Sequence, residues 1–334
     1  MCSAPLPAEP AAGEVLVRVD LATVCGSDLH TVAGHRSSPA PGVLGHEQVG
    51  TVVAAGDGAS VRAGERIAWS VTASCGRCAR CRRGIPQKCF ELRKYGHEPL
   101  DEKRPLTGGF ASHCLLWPGT TVVKVPDDVP DEVAAPAGCA TATVAAAVRA
   151  GGSVGAGDRV LVTGAGMLGL TATAMLARRG AHVITADPDP ARREQARQFG
   201  AAEIADGTEE IDGIDLAVEL SGATTAVRTA LDSLTIGGTL VLAGTVSPGP
   251  AVPLDPERTV RRLLTVTGVH NYTPADLRTA VDFLAGSHHT YPFATLVSAP
   301  YPLHRLDEAF TNAGSAARHS IAPARSGNGR AERA

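Results

Sequence analysis

The chain has 334 residues, 44% hydrophobic and 19% charged, with a formal net charge of −3. That length suggests two domains, the composition is that of a globular protein, and the weak charge gives no reason to expect nucleic acid or a membrane as partner. No apolar run approaches the ~20 residues of a membrane helix, and "MCSAPLPAEPAAGEV" lacks the basic and apolar regions of a secretory signal. The expected compartment is the cytoplasm, where thiols stay reduced, so the eight cysteines favour metal ligation over disulfides. Cys2 and Cys114 are read as small buried hydrophobes.

After the strand-like run "GEVLVRV", the stretch "ATVCGSDLH" sets Cys25 before a tight turn at Gly26, with Ser27, Asp28 and His30 close behind. In "VLGHEQVGTVV", His46 and Glu47 open an apolar strand-like run. Further on, "PAGCATATV" supplies Cys139. Any one of these is ordinarily structural. Together, Cys and His with a further Cys or Glu form the ligand set of zinc sites that keep one position open. Such a zinc polarises an alcohol oxygen and lowers its pKa. Ser27 and His30 are then placed to carry a proton to solvent, and Asp28 to orient a ligand histidine. A turn cap is the plainer reading of Ser27 and Asp28.

Between these segments lies "CGRCARCRRGIPQKC", with Cys75, Cys78, Cys81 and Cys89 spaced C-x2-C-x2-C-x7-C. Short loops of this kind let the sulfurs converge on one ion, and four thiolates close a structural zinc site. The flanking Arg77, Arg80, Arg82, Arg83 and Lys88 are expected to favour the thiolates. An iron–sulfur cluster or a redox cluster stays open as an alternative.

"RVLVTGAGMLGLTATAMLARRGAHVITAD" reads as strand, Gly164-x-Gly166-x-x-Gly169 turn, helix, then a strand ending at Asp187. Gly164 permits the turn, Gly166 lets backbone approach a pyrophosphate, and Gly169 allows close helix–strand packing. The helix start favours phosphate, and Asp187 is expected on the ribose 2′-hydroxyl, which favours NAD over NADP. Met167 and Leu168 belong to the same turn, and Ser221 and Val269 to the same edge. Arg192 and Arg193 keep NADP open but are read as a solvated helix face; Arg192 is kept among the cofactor contacts. "GIDLAVELSGA" and "GGTLVLAGTV" read as further buried strands of a doubly wound parallel sheet. Gly222 and the Gly237–Gly238 pair are expected at its coenzyme edge.

The order of "GHE" at 45–47, the cysteine lobe, "GGFASH" at 108–113 and "GAGMLG" resembles the zinc-dependent medium-chain alcohol dehydrogenases over nearly the whole chain. The resemblance implies an α/β plus β-rich chain, in which a Rossmann domain is inserted into a GroES-like catalytic domain. The expected boundaries are 1–141 and 269–323 for the catalytic domain, 142–268 for the Rossmann domain, and a disordered tail at 324–334. By position, Cys25, His46 and Cys139 match catalytic zinc ligands, and Glu47 an acid able to approach the metal. Ser27 and His30 match a proton relay, Asp28 its supporting acid, and Arg318 a pyrophosphate-binding arginine. Two zinc ions per chain, NAD, and a homodimer or homotetramer are implied. Members usually carry roughly twenty further residues and an opening strand before "GEVLVRV", so a misplaced start or a barrel short of one strand is expected.

"CGSDLHTVAGHR", "PQKCFELRKYGHE", "CATATVAAA" and "LTVTGVHNY" further resemble the subgroup associated with phosphonate catabolism. That implies a small hydroxy- or oxo-phosphonate, or a related anion, facing Arg36, Arg93, Lys94, His97, His270 and Asn271. Solvated surface charge is the competing account of Arg93 and Lys94. A polyol or amino-alcohol dehydrogenase (threonine- or sorbitol-type) is the neighbouring alternative. A dinucleotide-sensing module is the non-enzymatic one, although sensing needs no open metal site.

Overall fold

A computed structural model describes residues 4–7, 9–36, 41–101, 104–246, 249–311 and 316–323. The expectations for Cys2 and for the tail at 324–334 lie outside these residues. The chain forms two compact units. One runs to Gly138 and resumes at Val297; the other is Cys139–Leu296.

The first unit is β-rich. Its strands are β1 (Val15–Thr23), β2 (Gln48–Ala55), β3 (Arg66–Ala73), β4 (Arg93–Lys94), β5 (His113–Leu116) and β6 (Thr120–Lys124), with β13 (Tyr301–Pro302) and β14 (Ser320–Ala322) after the second unit. They form one eight-stranded sheet in the order β13-β14-β1-β2-β3-β4, with β5 on β1 and β6 on β3. β1, "VLVRVDLAT", pairs antiparallel with β2, β5 and β14, so nearly all its positions are buried. Its valines pack with Ile67, Trp69, Tyr95, Leu116 and Ile321 in one core. No strand precedes β1 among the described residues.

The second unit is a six-stranded parallel sheet in the order β12-β11-β10-β7-β8-β9. The strands are β7 (Arg159–Thr163), β8 (His182–Ala186), β9 (Glu203–Ala205), β10 (Ile214–Glu219), β11 (Leu234–Leu242) and β12 (Thr265–Gly268). Apolar clusters cover both faces, which is why β7 and β10 are almost continuously apolar. Chain order reverses between β7 and β10, which places the topological switch point there.

The expected return to the first unit at residue 269 comes later, at Val297. The reason is the helix Pro274–Ala285, which packs on Ala140–Ala150. There Arg149 Nε and Nη2 donate to the two Asp276 oxygens at 2.7 and 3.0 Å. A second correction concerns Gly237 and Gly238, which lie in the amino half of β11, away from the carboxyl edge. Gly237 has φ 80°, and three extra residues bulge from β11 between its pairings with Ile214 and Leu216. Among the described residues no single helix is long and apolar enough to cross a membrane.

Candidate active site and metal centres

His46 sits in the loop before β2. Gly45 ahead of it has φ 94°, and a Cβ there would lie 2.6 Å from Phe110 N. The "GHE" and "GGFASH" motifs are thus one interlocked structure: Gly109 and Phe110 N–H groups donate to the carbonyls of Gly45 and Leu44. Cys25 caps the helix Gly26–Val32, and its N–H donates to Asp28 Oδ2 at 3.0 Å. The other Asp28 oxygen lies 3.2 Å from His46 Nδ1, so one buried carboxylate holds both the cap and the imidazole. Ser27 Oγ is 3.1 Å from His46 Nε2. His30, three residues along the helix, is exposed.

Ligand atoms of Cys25, His46 and Cys139 all lie within 4.8 Å of one another. Cys139 follows Gly138 by one peptide bond, so the last turn of the first unit, Ala135–Gly138, fixes its approach. Burial works against protonating His46, but Asp28 and then Cys25 outweigh it and raise the imidazole to about 10. Two sulfurs and an imidazole are donors that zinc prefers. Glu47 is wholly buried beside them. Its Oε2 accepts from Thr23 Oγ1 and Arg318 Nε, each at 2.8 Å. Burial raises its pKa, against the pull of Arg318. Arg318, expected at a pyrophosphate, instead has Nε on Glu47, Nη1 on Ala317 O and Nη2 3.8 Å from Cys25 Sγ. Thr23 gave no signal of its own in the sequence.

The basic residues divide. The His97 ring lies 5.1 Å from that of His46, and its Nδ1 is 3.0 Å from Tyr95 O. Burial first, then the charges of Lys94, His46 and Arg36, lower His97 to about 3. His97 is therefore beside the centre, and Lys94 and Arg36 are near enough for their charges to act on it. Arg93 does not: its side chain is 63% exposed and pairs with Glu98 at 3.3 Å. Surface charge accounts for Arg93. His270 and Asn271 belong to the second unit, where they follow β12; Asn271 has φ 56°.

In the cysteine lobe, Cys78 Sγ is 3.5 Å from Cys81 and 3.8 Å from Cys89, and Cys89 is 3.4 Å from Cys75. All four sulfurs fall within 4.8 Å. Bonds of ~2.3 Å in a tetrahedron around one zinc put sulfurs ~3.8 Å apart. An iron–sulfur cluster would divide the thiolates among two or four irons and spread them further, so these separations suit one ion. The flanking arginines are not what favours the thiolates. Backbone N–H groups of Phe90 and Cys81 lower Cys78 to about 6, and those of Arg77 and Cys78 lower Cys75. Burial raises Cys81 to about 12. Arg77 meets Glu91, and Arg80 lies over the Phe90 ring and donates to Lys88 O.

In the second unit, β7 runs into Gly164, and Gly166 caps the helix Met167–Ala177. A Cβ on Gly169 would lie 1.7 Å from Gly164 O, whereas one on Gly166 would meet no protein atom within 4 Å. The turn is tight beneath and open above, as a pyrophosphate requires. Asp187 ends the neighbouring strand at 5% exposure. Its carboxylate accepts from Ala165 N at 2.7 Å and Asp189 N at 2.9 Å, which ties it to the glycine-rich turn. Arg192 is exposed, 3.8 Å from Asp189. Arg193, expected on a solvated face, donates to the carbonyls of Asp187 at 2.7 Å and Pro188 at 3.0 Å. It, not Arg192, is the arginine beside Asp187. Met167 and Leu168 begin the helix, and Ser221 and Val269 follow β10 and β12 at the same carboxyl edge. Sequence reasoning missed Glu219, fully buried at the end of β10. Its signal was an acid closing the apolar run "LAVE".

Residues 11–127 match the alcohol dehydrogenase GroES-like domain, and residues 168–286 match the zinc-binding dehydrogenases. The chain is 30% identical over 326 residues to a 5-exo-hydroxycamphor dehydrogenase of Pseudomonas putida, covering 90% of this chain and 89% of that protein. It is 33% identical over 277 residues to an L-threonine 3-dehydrogenase of Anaeromyxobacter dehalogenans, covering 77% and 76%. A crystal structure from Sinorhizobium meliloti, described as a zinc-binding dehydrogenase bound to NADP, matches with a TM-score of 0.84 at 27% identity, covering 94% and 93%.

Proposed function

The chain belongs to the zinc-dependent medium-chain alcohol dehydrogenase family, and from that premise we propose that it moves a hydride between NAD and a small alcohol or carbonyl bearing an anionic group. The observation that carries the anionic group is that His97, whose ring lies 5.1 Å from that of His46, also feels the charges of Lys94 and Arg36. A guanidinium and an ammonium hold phosphonate or carboxylate oxygens through charge-assisted bonds. A hydroxy- or oxo-phosphonate is the substrate that motif resemblance suggests. The similarity to a threonine dehydrogenase favours a second reading, an amino alcohol whose carboxylate the same cations would hold.

In this reading each chain takes two zinc ions: one closed in by Cys75, Cys78, Cys81 and Cys89, the other held by Cys25, His46 and Cys139 with Glu47 beside them. The second, when bound, polarises the reacting oxygen. The chain's own groups do the rest. Asp28, 3.2 Å from His46 Nδ1, sets a negative charge behind the imidazole that orients it. Ser27 accepts the substrate proton beside His46, and His30 passes it to solvent. Arg318 holds Glu47 in place. Reduced thiols in both ligand sets favour the cytoplasm, and β12, as an end strand, offers an edge for a homodimer or homotetramer.

Two measurements test the specificity. Lys94→Met is expected to lower kcat/KM for the anionic substrate at least roughly tenfold, since a charge-assisted contact contributes about 1.5–3 kcal/mol. A neutral alcohol of similar size should lose little. A panel of hydroxyphosphonates, threonine, polyols and simple alcohols, followed by NADH formation, supplies the substrates; preference for neutral polyols sinks the anionic reading. Steady-state kinetics with both coenzymes tests Asp187, whose carboxylate should favour NAD by about tenfold, or ~1.4 kcal/mol. Equal use of NADP would mean that Arg193 swings from the Asp187 carbonyl to a 2′-phosphate.

A further inference from the structure

We propose that Glu219 is a positioning residue for the coenzyme edge: its buried carboxylate fixes the loop after β10, ties it to the loop after β11, and holds both against the glycine-rich turn. The inference rests on reading that edge as the dinucleotide site. Glu219 is 0% exposed. Its Oε1 accepts from Ser221 N at 2.7 Å, Gly222 N at 2.7 Å and Ser221 Oγ at 2.8 Å. Its Oε2 accepts from Thr245 Oγ1 at 3.1 Å, and its carbonyl accepts from Ala243 N and Gly244 N at 3.0 and 2.9 Å. A buried carboxylate is costly unless its oxygens are satisfied, and here neutral donors from two separate loops satisfy them.

The loops leave no slack. A Cβ on Gly244 would lie 2.6 Å from Gly222 N, and one on Gly164 would lie 2.9 Å from Ser221 Cα. A shift of Ser221 is therefore passed directly to Gly164, the first glycine of the turn. β7 and β10 flank the switch point, so Glu219 sits below the place where a dinucleotide binds an open sheet of this kind.

The test is NADH binding by fluorescence, with kcat at saturating NAD, in the zinc-loaded full chain. Glu219→Ala removes the acceptors for several hydrogen bonds, so the Kd for NADH should rise at least about tenfold while kcat stays within about threefold. In Glu219→Gln the amide oxygen still accepts the two N–H groups and the amide nitrogen donates to Thr245, so Kd should stay within about threefold of the wild type. A folded Glu219→Ala that binds NADH like the wild type overturns the proposal. So does one that loses kcat at unchanged Kd. If Glu219→Ala does not fold, Ser221→Ala with Thr245→Val removes both hydroxyl donors and keeps the acid. Its Kd should rise at least about fivefold, and an unchanged value overturns the proposal. A zinc-loaded wild type that binds neither NADH nor NADPH sinks the coenzyme reading, and this proposal with it. A wild type that binds while the variants match it sinks this proposal alone.

Discussion

Cys78→Ser is expected to yield a protein that holds about one zinc per chain instead of two and has lost a stable first unit. The lobe has little else to hold it. Neither the turn Ala79–Arg82 nor the turn Pro86–Lys88 buries a residue. Cys78 has close sulfur neighbours in Cys81 and Cys89, and backbone N–H groups already pull it toward the thiolate. A serine hydroxyl stays protonated and is a poor zinc donor. Structural zinc sites in small peptides carry apparent binding energies of about 10–16 kcal/mol, against a total domain stability of about 5–15 kcal/mol. Losing even a third of the former approaches the latter. Elemental analysis, melting and limited proteolysis read the outcome together. A Cys78→Ser protein with normal melting and an intact lobe would remove the structural role.

What the sequence made legible was local. The glycine-rich turn, the cysteine spacing and a turn cap at Asp28 are short-range patterns whose residue types are dictated by backbone geometry or by one shared ion. "GHE" and "GGFASH" were legible as motifs, but their interlocking through Gly45 and Phe110 was not. The partners that define the charge of each site lie far apart in the chain. Arg318 reaches Glu47 across 271 positions, so positional matching alone assigned it to a phosphate. Arg93 and Lys94 are adjacent, and alternation along β4 leaves the first exposed beside Glu98 and the second half-buried, with its charge acting on His97. No composition argument separates them. Gly237–Gly238 looked like a strand end because glycine pairs usually break strands, whereas here they build a bulge within β11. The thiolates were assigned to the flanking arginines because charge is visible in a sequence and backbone N–H direction is not.

Cys25→Ser is expected to have the opposite profile to Cys78→Ser: turnover falls about a thousandfold, one zinc is lost, and melting stays within a few degrees of the wild type. The fall follows from losing one of the donors to the open metal, whose polarisation of the reacting oxygen is worth several kcal/mol; about 4 kcal/mol is a factor of roughly 10³ in rate. The fold survives because Cys25 has a second, local task that serine performs at least as well. It caps the helix Gly26–Val32, its N–H held by Asp28, and serine is among the favoured N-cap residues. The serine oxygen also remains an acceptor facing Arg318 Nη2, which now lies 3.8 Å from the sulfur. Asp28 and Glu47 keep their other partners, His46 in the first case and Thr23 with Arg318 in the second. Zinc content, melting temperature and kcat/KM on the best substrate of the panel separate the possibilities. A variant that melts early would make Cys25 a structural residue. One that keeps both ions and full turnover would leave Cys25, His46 and Cys139 without a shared metal, and the open-site reading would fall with them.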